Sequence, residues 1–168
     1  MEKGDLVLIV GKSKTGKTAL ARKLAQKITL KFIYVSYNTC THKYLYTLYR
    51  KNSYKSTVFI FDNYVKKTEN TLVDKIFINN PNFTIIYIMS YLHNYMIDKV
   101  DVIYLSREDD NKDNNTIDTY YKHTKTFFSN NYTLDWLSNA NDDLSKYGFI
   151  CLDKYNRCIK EHDYIKIK

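Results

Sequence analysis

Leu6-Val7-Leu8-Ile9-Val10-Gly11-Lys12-Ser13-Lys14-Thr15-Gly16-Lys17-Thr18 decides how this chain folds. Its first five residues are apolar and mostly β-branched or leucine, the pattern of a strand buried on both faces, and they end at a glycine. From Lys17 to Ile28, Leu20, Ala21, Leu24, Ala25 and Ile28 recur at helical spacing. The eight residues from Gly11 to Thr18 therefore lie between a central strand and an amphipathic helix, and they satisfy the spacing G-x-x-x-x-G-K-[ST] of a P-loop.

That spacing meets a chemical need. A triphosphate requires converging backbone N–H groups, a cation for its outer phosphates and a hydroxyl for Mg²⁺. Gly11 and Gly16 let the backbone wrap closely, Lys17 reaches the β and γ phosphates, and Thr18 ligates Mg²⁺, with Lys12, Ser13, Lys14 and Thr15 completing the loop. ATP with Mg²⁺ is the expected ligand.

Working outward, strands are expected at Phe32 to Val35, Thr57 to Phe61, Phe83 to Met89, Asp101 to Leu105 and Tyr147 to Leu152. Helices are expected at Tyr44 to Arg50, Glu69 to Phe77, Thr116 to Phe128 and Thr133 to Ala140, with a short helix or turn at Tyr91 to Ile97. Pro81 stops the second of these, because the residue before a proline disfavours helix. The polar run Glu108 to Asn115 reads as a surface loop. Strand and helix alternate over short connections, so the fold class is α/β: a P-loop NTPase with a mostly parallel central sheet flanked by helices. At 168 residues the chain reads as one domain, 1–168.

Asp62 closes a buried strand at the edge where open α/β sheets bind ligands, and reads as the Walker B carboxylate that holds Mg²⁺ with Thr18. The next position, an acid in many P-loop ATPases, is Asn63. An amide positions water but accepts no proton, which leaves turnover to Asn63 itself or to another carboxylate such as Glu69. Ser90 ends the fourth strand, where a hydroxyl can sense the γ phosphate. Arg107 and Arg50 are candidate arginine fingers for a neighbouring site. His42, His93, His123 and His162 form no triad or metal set, and Cys40, Cys151 and Cys158 contain no C-x-x-C pair, which fits a reducing compartment.

Composition narrows the partners. The net charge of +8 favours a polyanion, since Lys and Arg bound to phosphates release counterions. Seventeen tyrosines beside four glycines and one proline fit an AT-rich genome rather than a use for tyrosine. No apolar run approaches the roughly 20 residues that cross a bilayer, and the amino terminus lacks a secretory core, so no membrane span or secretory signal is expected.

Asn82 to Ser90, then Asp101 to Arg107, then Tyr147-Gly148-Phe149-Ile150-Cys151-Leu152-Asp153, taken in order after the P-loop, resemble the genome-packaging ATPases of large DNA viruses, a branch of the FtsK–HerA superfamily. The similarity runs from about residue 5 to residue 155. It implies a RecA/FtsK-like fold and an ATP-driven, homo-oligomeric ring that threads double-stranded DNA into a capsid beside capsid or portal-vertex proteins, in the cytoplasm of an infected cell. Lys17, Thr18 and Asp62 then take the nucleotide roles and Arg107 the finger. The chain departs from the family at Asn63, which replaces the second acid, and near Ser90, where a glutamine is missing. Two other readings share the P-loop: a nucleotide-binding subunit with weak catalysis, and a small nucleoside or nucleotide kinase, which the lack of an arginine-rich lid segment disfavours.

Overall fold

A computed structural model describes residues 4–36, 41–63, 76–108, 115–125, 133–154 and 158–162. Its elements in order are β1 (Leu6–Val10), α1 (Lys17–Ile28), β2 (Phe32–Ser36), α2 (His42–Asn52), β3 (Thr57–Asp62), β4 (Phe83–Met89), α3 (Asn94–Ile97), β5 (Val102–Ser106), α4 (Asn115–Thr124), α5 (Leu134–Asp143), β6 (Phe149–Asp153) and β7 (Cys158–His162). Every expected strand is present within two residues of its expected ends. The helix expected at 69–77 falls outside the described residues up to 75, as do Glu69, Cys40 and the last residues of the helix expected at 116–128.

The strands form one seven-stranded sheet in the order β2-β3-β4-β1-β5-β6-β7. The first five in that spatial order run parallel, with Leu8 opposite both Tyr87 and Ile103. β6 runs antiparallel to β5, with Leu105 facing Ile150, and β7 antiparallel to β6, with Leu152 facing Ile159. β7 was not expected from the sequence: Cys158-Ile159-Lys160-Glu161-His162 has only one strongly apolar residue, so an edge strand of this kind leaves little hydrophobic pattern.

The central strand explains the two-sided core. Val7 and Ile9 point to the face covered by α1, where they meet Leu20, Ala21, Leu24 and Ala25. Leu8 and Val10 point to the other face, packed with Leu45 of α2, Met96 and Ile97 of α3, Ile117 and Tyr120 of α4, and Leu137 and Ala140 of α5. Val7 to Val10 are all fully buried, which is why the strand reads as an unbroken apolar run rather than an alternating one. Between β3 and β4, Phe59 meets Phe77 and Phe83 edge-on with centroids 5.0 and 4.8 Å apart, and Phe77 and Phe83 are tilted against each other at 5.6 Å.

Candidate nucleotide site

Helix N-termini expose amide donors that something must satisfy. At α2 and α5 the cap is a threonine: Thr41 accepts from the amide of Tyr44, and Thr133 from that of Trp136. At α1 the cap is Gly16, in the left-handed region at φ 87°, with no side-chain cap. The first-turn amides of α1 therefore stay available to an anion. Lys14, at φ 66°, completes the tight wrap of the loop.

Gly11 is fixed by packing. A Cβ there would stand 1.6 Å from Ser106 Oγ and 2.6 Å from Ser106 Cβ, so β5 presses directly against the loop backbone. The Gly11 amide donates to Met89 O at 3.2 Å, which ties the loop to β4 as well.

Lys17 curls under the loop. Its Nζ donates to the carbonyl of Gly11 at 2.6 Å and to that of Lys12, and the Thr15 hydroxyl donates to the same Lys12 carbonyl at 3.0 Å. Burial lowers the Lys17 pKa below the usual lysine value, while the carboxylates of Asp62 and Glu108 act in the opposite sense. The Thr18 hydroxyl donates to Asp62 Oδ2 at 3.2 Å, joining the P-loop to the end of β3. Tyr34 of β2 donates its hydroxyl to the same oxygen, and the Asn63 amide donates to Asp62 Oδ1 at 2.8 Å.

These groups line a cleft of about 460 Å³ at the carboxyl ends of the strands. Of the residues expected from the sequence, Ser13, Lys14, Gly16, Lys17, Thr18, Asp62, Asn63 and Ser90 line it. Gly11 and Thr15 support it from behind. Asn63 is exposed, with its backbone in the left-handed region at φ 54°. Three expected residues point elsewhere. Lys12 extends to Glu108, Nζ to Oε2 3.2 Å, and Arg107 donates through Nη1 to the Leu144 carbonyl of its own chain. Arg50 is exposed on the last turn of α2, over the Tyr46 ring at 6.0 Å.

Glu108 corrects the sequence reading that began the surface loop at this residue: it is only 4% exposed. Its carboxylate also accepts from the Tyr120 hydroxyl at 3.1 Å, and its backbone is paired on both sides with the Asn141 amide, N–H to Oδ1 at 2.9 Å and Nδ2 to O at 3.0 Å. Charge composition placed it in the loop, whereas the rule that selected Asp62, a carboxylate at the carboxyl end of a buried strand, also marks Glu108. Tyr34 and Tyr147 were missed for a different reason. Tyr147 lines the cleft beside Gly16, where a Cβ would meet its ring at 3.5 Å, and both tyrosines were indistinguishable from the fifteen others by pattern.

A P-loop closing a parallel sheet, with a strand-end carboxylate bonded to its threonine, defines a P-loop NTPase fold. The chain belongs to the ATPase family associated with various cellular activities (AAA), whose model matches residues 7–147. Among solved structures it is similar to the genome-packaging NTPase B204 from Sulfolobus turreted icosahedral virus 2 in complex with AMP, at 16% identity and a TM-score of 0.70, covering 98% of this chain and 100% of that one. The same NTPase in complex with ATP-gammaS gives 17% identity and a TM-score of 0.69 over 98% and 100% of the two chains. The DNA-packaging ATPase B204 from Sulfolobus turreted icosahedral virus gives 16% and 0.65, again over 98% and 100%. No curated protein sequence matches the chain. Among the described residues no helix is long and apolar enough to cross a membrane.

Proposed function

We propose that residues 1–168 act as one ATPase domain of a viral genome-packaging motor, binding ATP with Mg²⁺ and coupling its hydrolysis to the movement of double-stranded DNA into a capsid. The observation that carries the chemical half is the Thr18–Asp62 pair at the mouth of a P-loop with uncapped α1 amides. The likeness to packaging NTPases over 98% of the chain supports the biological half.

In this reading the amides around Gly16 hold the phosphates, and Lys17 exchanges the Gly11 and Lys12 carbonyls for the β and γ phosphate oxygens, which are stronger acceptors for an ammonium. A hydroxyl and a carboxylate 3.2 Å apart are the hard oxygen donors Mg²⁺ prefers, so Thr18 and Asp62 would hold it, Asp62 through water. Bound there, Mg²⁺ supplies neutralisation of phosphate charge. Ser90 and Asn63, on neighbouring strand ends across the cleft, orient water at the γ phosphate. Arg107 serves a neighbouring subunit of a homo-oligomeric ring only after releasing the Leu144 carbonyl. Partners are double-stranded DNA and capsid or portal-vertex proteins, and the place of action is the cytoplasm of an infected cell.

Asn63 supports a second reading, a subunit that binds nucleotide with little turnover, because it puts an amide where a proton acceptor would stand. ATP hydrolysis measured with and without double-stranded DNA, with Lys17→Ala as the control for contaminants, separates the two. DNA-stimulated phosphate release that vanishes in Lys17→Ala supports the motor. ATP binding without phosphate release, whether or not DNA is present, supports the second reading and rejects a motor driven by this chain alone.

A further inference from the structure

Charge is distributed very unevenly along this chain. Between residues 6 and 61 there are eleven Lys and Arg and not one Asp or Glu, whereas the remaining residues hold nearly balanced charge. The fold gathers four of these eleven at one edge of the sheet. β2 is the edge strand, and its first residue Phe32 pairs with Val58 of β3, so Lys31 is level with Thr57 and both Lys31 and Lys55, which precede these strands, lie at the amino-terminal end of this strand pair. The last turn of α2 delivers Arg50 and Lys51 to the same end, and the turn that follows is pinned there because the Ser53 carbonyl accepts from the side chains of both Asn80 and Asn82 at 3.2 Å. All four cations are exposed.

Two apolar side chains stand among them with almost no cover: Leu30 is 92% exposed and Tyr54 94%. Tyr54, standing clear of the surface, can donate its hydroxyl to a phosphate oxygen beside these cations. The nucleotide cleft is at the other end of these strands, roughly 20 Å away along six residues of β3. A ligand on this surface therefore does not compete with nucleotide for space.

From this arrangement we infer that the amino-terminal edge of β2 and β3, with Lys31, Arg50, Lys51, Tyr54 and Lys55, is a docking surface for the phosphate backbone of duplex DNA. Lysines and an arginine without intervening carboxylates neutralise phosphates without reading bases, the kind of contact a sliding partner requires. The identity of the polyanion rests on the proposed packaging function; the position of the surface rests on the charges and the fold.

The test is binding of a short fluorescein-labelled DNA duplex, without nucleotide, across a series of salt concentrations. The variant is Lys31→Gln/Lys51→Gln/Lys55→Gln, and the charge-matched control is Lys23→Gln/Lys122→Gln/Lys125→Gln, whose lysines are also exposed but lie on α1 and at the end of α4. The edge variant is expected to bind at least about 10-fold more weakly near physiological salt and to lower the slope of log affinity against log salt by about 0.9 for each lysine in contact, with the control close to wild type. Equal losses in both variants, or none in the edge variant, overturn the inference while leaving the DNA partner in place. Wild-type protein that binds ATP but no duplex rejects the DNA partner itself. Polyglutamate binding that displaces DNA and is lost in the edge variant assigns the surface to an acidic protein instead.

Discussion

Ser106 occupies the space that a side chain at position 11 would need: its Oγ stands 1.6 Å from where a Cβ on Gly11 would be built. The phosphate loop is therefore shaped from below by β5 as well as by its own glycines. Gly11→Ala must displace Ser106 or the loop and also holds alanine at φ 153°, and it is expected to cost about 3 kcal/mol or more. Ser106→Gly in the same chain removes both clashing atoms and should restore part of that loss, whereas Ser106→Ala, which keeps the Cβ at 2.6 Å, should restore little. Urea unfolding of wild type, Gly11→Ala, Ser106→Gly and the protein carrying both reads this as a double-mutant cycle, and additive losses would show that the contact is not the cause.

Thr18 and Asp62 are bonded to each other before any ligand enters, so the two elements that carry them are already in register. Asp62→Asn keeps the shape of the side chain and removes its charge. Nucleotide affinity in the absence of Mg²⁺ should stay within a few-fold of wild type, while the Mg²⁺-dependent gain in affinity and at least about 100-fold of hydrolysis should be lost. Titration of ATP with and without Mg²⁺ checks the first part and steady-state phosphate release the second. An Asp62→Asn protein with undiminished turnover would remove this residue from the metal site.

The sequence revealed those parts of the fold and site that depend on a residue's immediate neighbours. Val7 to Val10 lie in the middle of a parallel sheet, so burial on both faces left an uninterrupted apolar run that can be read directly. The P-loop was legible because its spacing is local. The position of Glu108 just past the end of β5 was legible by the rule that picked out Asp62, but its burial was not, because that depends on Lys12, Tyr120 and Asn141, which are 96, 12 and 33 positions away. β7 was missed because only its pairing with β6 makes it a strand.

Asn141 carries a burden that its position in the last turn of an ordinary helix does not suggest. It is 3% exposed and satisfies both the N–H and the C=O of Glu108, using a donor and an acceptor at once. Asn141→Asp turns the donor into an oxygen facing the Glu108 carbonyl. The loss is expected to be about 2 to 4 kcal/mol, and larger than for Asn139→Asp on the exposed face of the same helix, because an unsatisfied buried polar group costs about 1 to 3 kcal/mol. Urea unfolding of the two variants compares them, and equal stabilities would show that the Glu108 backbone finds other partners.

Alkaline pH should expose the buried phenols. Tyr104 is 3% exposed, and burial, then the neighbouring Cys151, push its pKa well above the usual tyrosine value; burial and Glu108 do the same for Tyr120. A phenol that ionises near 10 when unfolded but resists ionisation when folded contributes stability that is complete below about pH 10 and is lost as pH rises beyond it. Each such group adds a slope of about 1.4 kcal/mol per pH unit in that range. Lys17 and Lys154, whose pKa values are lowered mainly by burial, act in the opposite sense, so stability should rise gently toward pH 10 before it falls. Unfolding free energies between pH 9 and pH 11 should therefore pass through a maximum, and Tyr104→Phe should flatten the descent without moving the rise. A descent as steep in Tyr104→Phe as in wild type would show that this phenol ionises in the folded protein and that its burial does not hold it neutral.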